Sequence, residues 1–110
     1  SDSTSGSAIG ALDQVKVGSG TLTASGWTLD GDTTQPIKVH VYANGVYKGE
    51  YVAGGARPDI AAHYPLMGRD HGYTATFPIK SGRKEVCVYA INAGAGTANI
   101  RVGCRTVVVP

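Results

Sequence analysis

Hydrophobic and polar residues alternate along most of the chain in short segments, and Gly, Asn, Asp or Pro separates one segment from the next. Alternation with a period of two is typical of strands that bury one face and expose the other. Seven segments show it: 12–17, 21–29, 37–43, 46–53, 71–79, 84–91 and 99–109. Seven short strands with turn residues between them indicate an all-β fold, an antiparallel sandwich.

Apolar residues at helical spacing extend over no more than a turn or two anywhere in the chain. The best helical candidate runs from Pro58 to about Tyr64, because proline suits the first turn of a helix and two alanines follow. This candidate lies in a long crossover, residues 57–73, between the fourth and fifth predicted strands. We therefore expect one short helix or turn within that crossover.

The segment pair 37–43 and 46–53 reads as a hairpin whose register the sequence can test. A two-residue turn would pair Val41 with Lys48, which mixes apolar and charged residues on one face. A three-residue loop at 43–45 pairs Val41 with Tyr47 and sorts the two faces cleanly. We therefore predict the three-residue loop, with His40 on the exposed face.

Two cysteines, Cys87 and Cys104, lie on either side of a glycine-rich turn. The register that opposes them also pairs Tyr89 with Val102 and gives an apolar face, which favours a disulfide between them, although two buried free cysteines would give the same count. A disulfide implies an oxidising compartment and hence secretion. The single tryptophan, Trp27, is expected to anchor the sandwich core.

Length and charge limit the classes of protein to consider. A chain of 110 residues is long enough for one modest core. We assign residues 1–9 to a flexible linker that joins an upstream domain of a longer parent chain, and residues 10–110 to one sandwich domain. The net charge of +2 is carried by scattered Lys and Arg residues, which argues against nucleic acid, and no apolar run is long enough to span a membrane.

The crossover concentrates the residue types that carry chemistry. Two interpretations of it are open: a polar clasp that holds the loop in shape, or a ligand groove with a tyrosine as a stacking platform. The clasp is preferred, because buried polar residues are usually hydrogen-bonded scaffolding. The residues concerned are Arg57, Asp59, Tyr64, His71 and Tyr73.

No complete catalytic or metal-binding constellation is visible. The chain has no GxSxG segment, and its cysteines are better used on each other. Asp59 and Asp70 are the only nearby carboxylate pair, and His63 stands eight residues from His71 without a metal-ligand spacing. The segment 30–34, with Asp30 and Asp32, is typical of an Asp-rich turn. We predict that the protein is not an enzyme and has neither a metal site nor a cofactor.

Several of these segments, in this order, resemble a known family. "SGWTLDGDTTQPIKVHVYANG", "RPDI", "GRDHGYTATFP", "CVYAINAG" and a later Gly103-Cys104 are similar to an accessory β-sandwich repeat of secreted bacterial proteins, especially actinobacterial cell-wall hydrolases. The resemblance covers about residues 10–109. It departs from the family pattern at Gly31, where proline is usual, at Asn44 in place of Asp, and at Tyr73 in place of Phe.

The resemblance implies an immunoglobulin- or fibronectin-III-like sandwich of about seven strands, and it implies no catalytic residues. It also implies a non-catalytic accessory domain of a secreted or cell-wall-associated protein. Attachment to cell-wall glycan or peptidoglycan is the function we expect. The alternative is a structural spacer or protein–protein interaction module with no glycan ligand.

Overall fold

The structure is a computed structural model that describes residues 8–30, 35–91 and 100–110. The described residues form eight strands and one short helix. These are β1 (Ala8–Gly18), β2 (Thr21–Asp30), β3 (Lys38–Ala43), β4 (Val46–Val52), β5 (Gly55–Ala56), α1 (Pro58–His63), β6 (Asp70–Pro78), β7 (Gly82–Ala90) and β8 (Ile100–Val109).

Two antiparallel four-stranded sheets pack together as a sandwich. The first sheet has the order β1-β2-β6-β5 and the second has the order β4-β3-β7-β8. Each of the seven predicted strands is present, and the eighth is β5, whose two residues are too few to show an alternating pattern. β1 begins at Ala8, so it includes two residues that the sequence pattern assigned to the linker, and residues 1–7 lie outside the described ranges.

Alternating apolar residues of the two sheets form the core between them. Small and β-branched side chains dominate it, as expected of strands packed face to face. Burying each fully enclosed valine contributes roughly 1.5–3 kcal/mol. The fully enclosed members from the first sheet are Leu22, Ala24 and Ala75, and those from the second are Val39, Val41, Val86 and Val88.

Trp27 does not anchor this core, contrary to the expectation from sequence. The buried residues of β2 alternate through Leu22, Ala24 and Gly26, so Trp27 points to the opposite, outer face of the first sheet. There it packs against Tyr64, with ring centroids 6.0 Å apart. The indole therefore packs against the crossover on the outer surface of the first sheet instead of filling the sandwich.

The β3–β4 hairpin has a two-residue turn, which corrects the predicted register. Asn44 and Gly45 both have positive φ, of 50° and 79°, as a tight hairpin turn requires. Beyond the turn the ladder shifts by one residue, so that Val41 pairs with Gly49 and not with Tyr47. The shift is a β-bulge at Lys48, and it keeps the two faces sorted despite the shorter turn.

Cys87 and Cys104 form the predicted disulfide, and they lie directly opposite each other on β7 and β8 with Cα atoms 4.1 Å apart. The bond lies on the outer face of the second sheet, because the buried positions of β7 are the alternate residues. The predicted pairing of Tyr89 with Val102 is wrong. A second bulge, at Val102, pairs Tyr89 with Arg101 instead.

The crossover contains the predicted short helix, α1, with Pro58 in its first turn. Ile60 is its buried residue, and the Tyr64 N–H closes the helix by donating to the Ile60 carbonyl at 2.8 Å. The helix thus buries one apolar side chain and leaves most of its surface exposed. No helix among the described residues is long and apolar enough to span a membrane.

Candidate functional site

Arg57 is the centre of the polar contacts in the crossover. Its Nε and Nη2 donate to the two carboxylate oxygens of Asp59 at 3.0 and 2.8 Å, which makes a bidentate ion pair. Its Nη1 donates to Asp13 of β1 at 3.0 Å, so one guanidinium joins the start of α1 to an edge strand. The hydrogen bonds from Arg57 lower the pKa of Asp59 from 3.8 to about 2, and the same contacts raise the pKa of Arg57.

Gly72 of β6 makes room for the Arg57 side chain. A Cβ atom at Gly72 would come within 2.9 Å of Arg57 Cγ and 3.1 Å of the Gly55 carbonyl oxygen. The absence of a side chain therefore lets the stem of Arg57 lie flat on β6, where its head reaches both carboxylates. This explains why a glycine follows His71 in the crossover.

His71 and Tyr73 point into the sandwich from β6 and are buried. His71 Nε2 donates to the Met67 carbonyl at 2.7 Å, while its buried Nδ1 meets no hydrogen-bond donor among the described residues. The Tyr73 hydroxyl donates to the Ala11 carbonyl at 2.9 Å, and burial raises the pKa of that phenol. Both side chains therefore connect β6 by a hydrogen bond to a backbone carbonyl, one in the crossover and one in β1.

The five candidate residues of the crossover therefore do not form one pocket. Arg57 and Asp59 are in contact, His71 and Tyr73 face the core, and Tyr64 is on the outside against Trp27. A groove of about 510 Å³ is lined by Arg57 and by the edge of Tyr73, but Asp59, Tyr64 and His71 do not line it. A buried Tyr73 ring offers no face for stacking on a ligand. Ligand binding by residues 57–73 stays a prediction.

A different set of aromatic residues meets on the outer face of the second sheet. We call His40, Tyr42, Tyr47 and Tyr89 the aromatic face. The Tyr42 ring centre lies 5.6 Å from that of Tyr47 and 5.5 Å from that of Tyr89, and the His40 ring lies 5.2 Å from Tyr47, all edge to face. Tyr47 is the most open of the four, with 51% of its surface exposed.

The two-residue turn of the β3–β4 hairpin brings Tyr47 onto this face. The turn at 44–45 sets Tyr47 opposite the outward-facing Tyr42. The bulge at Lys48 then shifts the ladder beyond it, so that Val39 pairs with Tyr51 and the rest of β4 keeps its two faces sorted.

Charged groups lie at both edges of the aromatic face. On one edge Glu50 accepts a hydrogen bond from His40 at 2.8 Å and lies 3.6 Å from Lys38, and these contacts lower the pKa of Glu50. On the other edge Arg101 lies opposite Tyr89. Between them is a groove of about 470 Å³, lined by His40, Tyr42, Glu85, Cys87, Tyr89 and Arg101.

This arrangement can bind a flat, partly apolar ligand that also carries polar groups. Tyrosine rings present an apolar surface with a hydroxyl at the rim, and the flanking charges supply hydrogen-bond donors and acceptors. Within 8–30, 35–91 and 100–110, no three His, Cys, Asp or Glu side chains converge as a metal site would require. Asp32, half of the Asp-rich turn considered from sequence, lies outside these ranges.

The sequence interpretation assigned only part of the aromatic face. It placed His40 on the exposed side but sent Tyr47 inward, because the predicted loop at 43–45 is one residue longer than the turn that forms. It likewise placed Val102 beside Tyr89, where the structure has Arg101. The available signal was the alternation of His40, Tyr42 and Tyr89 with buried valines, which puts all three on one outer face.

No protein-family model and no curated protein matches the chain. Among solved structures, the fold is similar to part of the family 28 exopolygalacturonase of Yersinia enterocolitica, with a TM-score of 0.43 and 14% sequence identity. The match covers 90% of this chain and 20% of that enzyme, so the chain spans about a fifth of the length of that structure.

Proposed function

We propose that the chain is a non-catalytic accessory domain of a secreted bacterial protein, and that it attaches its parent protein to cell-wall glycan through the aromatic face. The observation that carries the proposal is the cluster of three tyrosines and a histidine on an open sheet surface, flanked by charged groups. Sugar rings have apolar faces and hydroxyl edges, which such a surface matches. The sequence resemblance to accessory repeats of cell-wall hydrolases supports the same function.

The finer fold we propose is immunoglobulin- or fibronectin-III-like. The strand order supports it: the first sheet corresponds to strands A, B, E and D of that fold, and the second to C′, C, F and G. The disulfide differs from the bond between sheets of antibody domains, because here it joins the last two strands of one sheet. The tryptophan differs too, since it lies on the second strand and outside the core.

A role without catalysis is supported by the use of the acidic and imidazole groups near the crossover. Asp59 is held by both prongs of Arg57, and His71 is buried against the Met67 carbonyl. Asp59 is thus engaged in an ion pair, and His71 is shielded from solvent. The secreted location we propose is supported by the disulfide, since such bonds persist in oxidising compartments.

Sedimentation with purified, insoluble cell-wall sacculi tests the proposed function. We expect the wild-type domain to pellet saturably and Tyr42→Ala to weaken binding about fivefold, the equivalent of roughly 1 kcal/mol for a lost ring contact. The matched control is Tyr64→Ala, which removes a partly exposed tyrosine from the crossover, on the far side of the sandwich, and should leave binding unchanged. Melting curves establish that each variant is folded.

A wild-type domain that pellets with none of several wall preparations would reject attachment to glycan. The second candidate function, a spacer or protein–protein contact module, is favoured by one other feature. Leu66 is 90% exposed beside the Tyr64–Trp27 pair, so the crossover presents an apolar tip. That function predicts self-association, or docking to the adjoining domain of the parent chain, and its loss in Leu66→Ser.

A further inference from the structure

We infer that the aromatic face selects a glycan whose sugar carries its own carboxylate, which Arg101 receives beside the ring that packs on Tyr89. The inference rests on the proposed function and names the ligand class of the same site. Three observations support it: the position of Arg101 beside Tyr89, the contacts of Lys38 and His40 with Glu50, and the fit of a guanidinium to a carboxylate.

The bulge at Val102 sets the position of Arg101. In a regular ladder Tyr89 would oppose Val102 and Arg101 would oppose Ala90, which faces the core. The extra residue moves Arg101 to the outer face, opposite Tyr89 and in the wall of the groove. The tight turn of the β3–β4 hairpin and the bulge at Val102 thus each place a residue on the same surface, Tyr47 on one edge and Arg101 on the other.

Arg101 is the cation in the wall of the groove that no carboxylate of the described residues engages. Lys38 and His40, at the opposite edge, are both in contact with Glu50, and Arg83 lies on the same outer face but does not line the groove. The stretch 92–99 next to Arg101 contains no Asp or Glu. A guanidinium beside a stacking ring, without a carboxylate partner among the described residues, is complementary to a carboxylate, which it can bind through two parallel hydrogen bonds.

Glu85 limits what kind of anion fits. It lines the groove four residues from Tyr89 along β7, about 13 Å at the usual rise of a strand. The groove is therefore cationic at one end and anionic at the other. This distribution favours a neutral glycan with an occasional carboxylate and disfavours a polymer charged on every unit. Because Tyr89 and Arg101 are direct cross-strand neighbours, the carboxylate must belong to the stacked sugar or its immediate substituent.

Peptidoglycan strands provide a matched set of probes. Removing the stem peptides with an amidase exposes a lactyl carboxylate on every second sugar, and carbodiimide coupling to ethanolamine then blocks that carboxylate without altering the ring. We expect the wild-type domain to bind the amidase-treated strands about tenfold more tightly than the blocked strands. Arg101→Gln should bind both alike, and Arg101→Lys should keep part of the preference.

Arg83→Gln is the control for charge. Arg83 lies on the same face of β7, six residues or about 20 Å from Tyr89, so the variant changes the net charge equally but leaves the groove intact. It should retain the wild-type preference. If Arg83→Gln lost the preference as Arg101→Gln does, general charge attraction would replace the specific contact and the inference would be wrong.

The outcomes separate the inference from the function on which it rests. If the wild type bound blocked and unblocked strands equally, and Tyr42→Ala bound both more weakly, recognition of the carboxylate would be wrong. Attachment to glycan through the aromatic face would still be supported. Binding to intact sacculi that disappears once stem peptides are removed would assign the carboxylate to the peptide and also overturn the inference. If the wild type bound neither the strands nor the intact sacculi, both the inference and the proposed attachment to glycan would be wrong.

Discussion

Gly26 and Gly72 show how single residues of the first sheet decide where polar side chains can go. A Cβ atom at Gly26 would meet the Ala11 carbonyl at 2.1 Å and the Tyr73 hydroxyl at 2.7 Å, the two atoms that hydrogen-bond each other. A Cβ atom at Gly72 would likewise come too close to the stem of Arg57, at 2.9 Å from its Cγ. The glycines in "SGW" and "HGY" are thus requirements of packing around the clasp residues.

His71 is the most demanding of those residues, because it is a fully buried imidazole. We expect His71→Ala to lower the free energy of unfolding by about 1–3 kcal/mol, since it leaves the Met67 carbonyl without its donor. Thermal or urea unfolding measures the change. The control is His63→Ala, an exposed histidine of α1 in the same crossover, which should change stability by less than about 0.5 kcal/mol. Equal effects of the two substitutions would contradict a structural role for His71.

The ion pair of Asp59 with Arg57 gives a pH-dependent prediction. The pKa of Asp59 is lowered from 3.8 to about 2 in the folded protein, so its stabilising effect is present above pH 3.8 and is lost as pH falls through about 2. We expect the stability difference between wild type and Asp59→Asn to shrink steadily across that interval in urea titrations and to disappear below it. In an Arg57→Gln background the same substitution should show a much weaker dependence on pH. A difference that did not shrink between pH 4 and pH 2 would contradict the ion pair as its source.

At the level of elements, the alternation of apolar and polar residues was sufficient to locate seven strands, whereas a proline followed by alanines located the helix α1. Alternation identified the buried face of β3 because Val39 and Val41 alternate with polar or aromatic residues. It failed on register because the loop at 43–45 is one residue shorter than predicted, and because a bulge at Val102 inserts one residue without disturbing the composition of the strand. Those two failures hid Tyr47 and Arg101 from the predicted surface.

The crossover shows a different limit of the sequence. The sequence identified Arg57, Asp59 and His71 as candidates because their side chains are charged or titratable. It did not identify the residues that they contact, because Asp13 lies 44 residues from Arg57 and Met67 contributes only a backbone carbonyl. Contacts between distant strands depend on the order of strands in the sheet, which alternation does not encode.

The disulfide acts on the β7–β8 hairpin from outside the core. It joins residues 17 apart, and removing it with Cys87→Ser and Cys104→Ser together should lower the free energy of unfolding by about 3 kcal/mol through greater freedom of the unfolded chain. The sandwich should still form, because the core of buried valines is untouched. Urea unfolding of the wild type with and without a reducing agent checks both points. Identical midpoints would contradict a stabilising role for the bond.

The whole molecule has two outer faces of unlike character. The outer face of the first sheet carries Trp27, the Arg57 ion pairs and the crossover, and its polar groups are largely engaged with one another. The outer face of the second sheet carries the aromatic face and Arg101, which has no carboxylate partner within the described ranges. A ligand on one face is separated from the other by both sheets, which pack about 10 Å apart.

Because Trp27 is the single tryptophan and lies on the first sheet, its fluorescence reports which face a ligand occupies. We expect soluble glycan strands to bind without changing the intensity or the maximum of Trp27 emission, since the aromatic face is on the opposite sheet. Binding itself is followed by calorimetry, and Trp27→Phe should bind with unchanged affinity. A shift of Trp27 emission on binding, combined with full binding by Tyr42→Ala, would place the ligand beside the crossover and make residues 57–73 the recognition site.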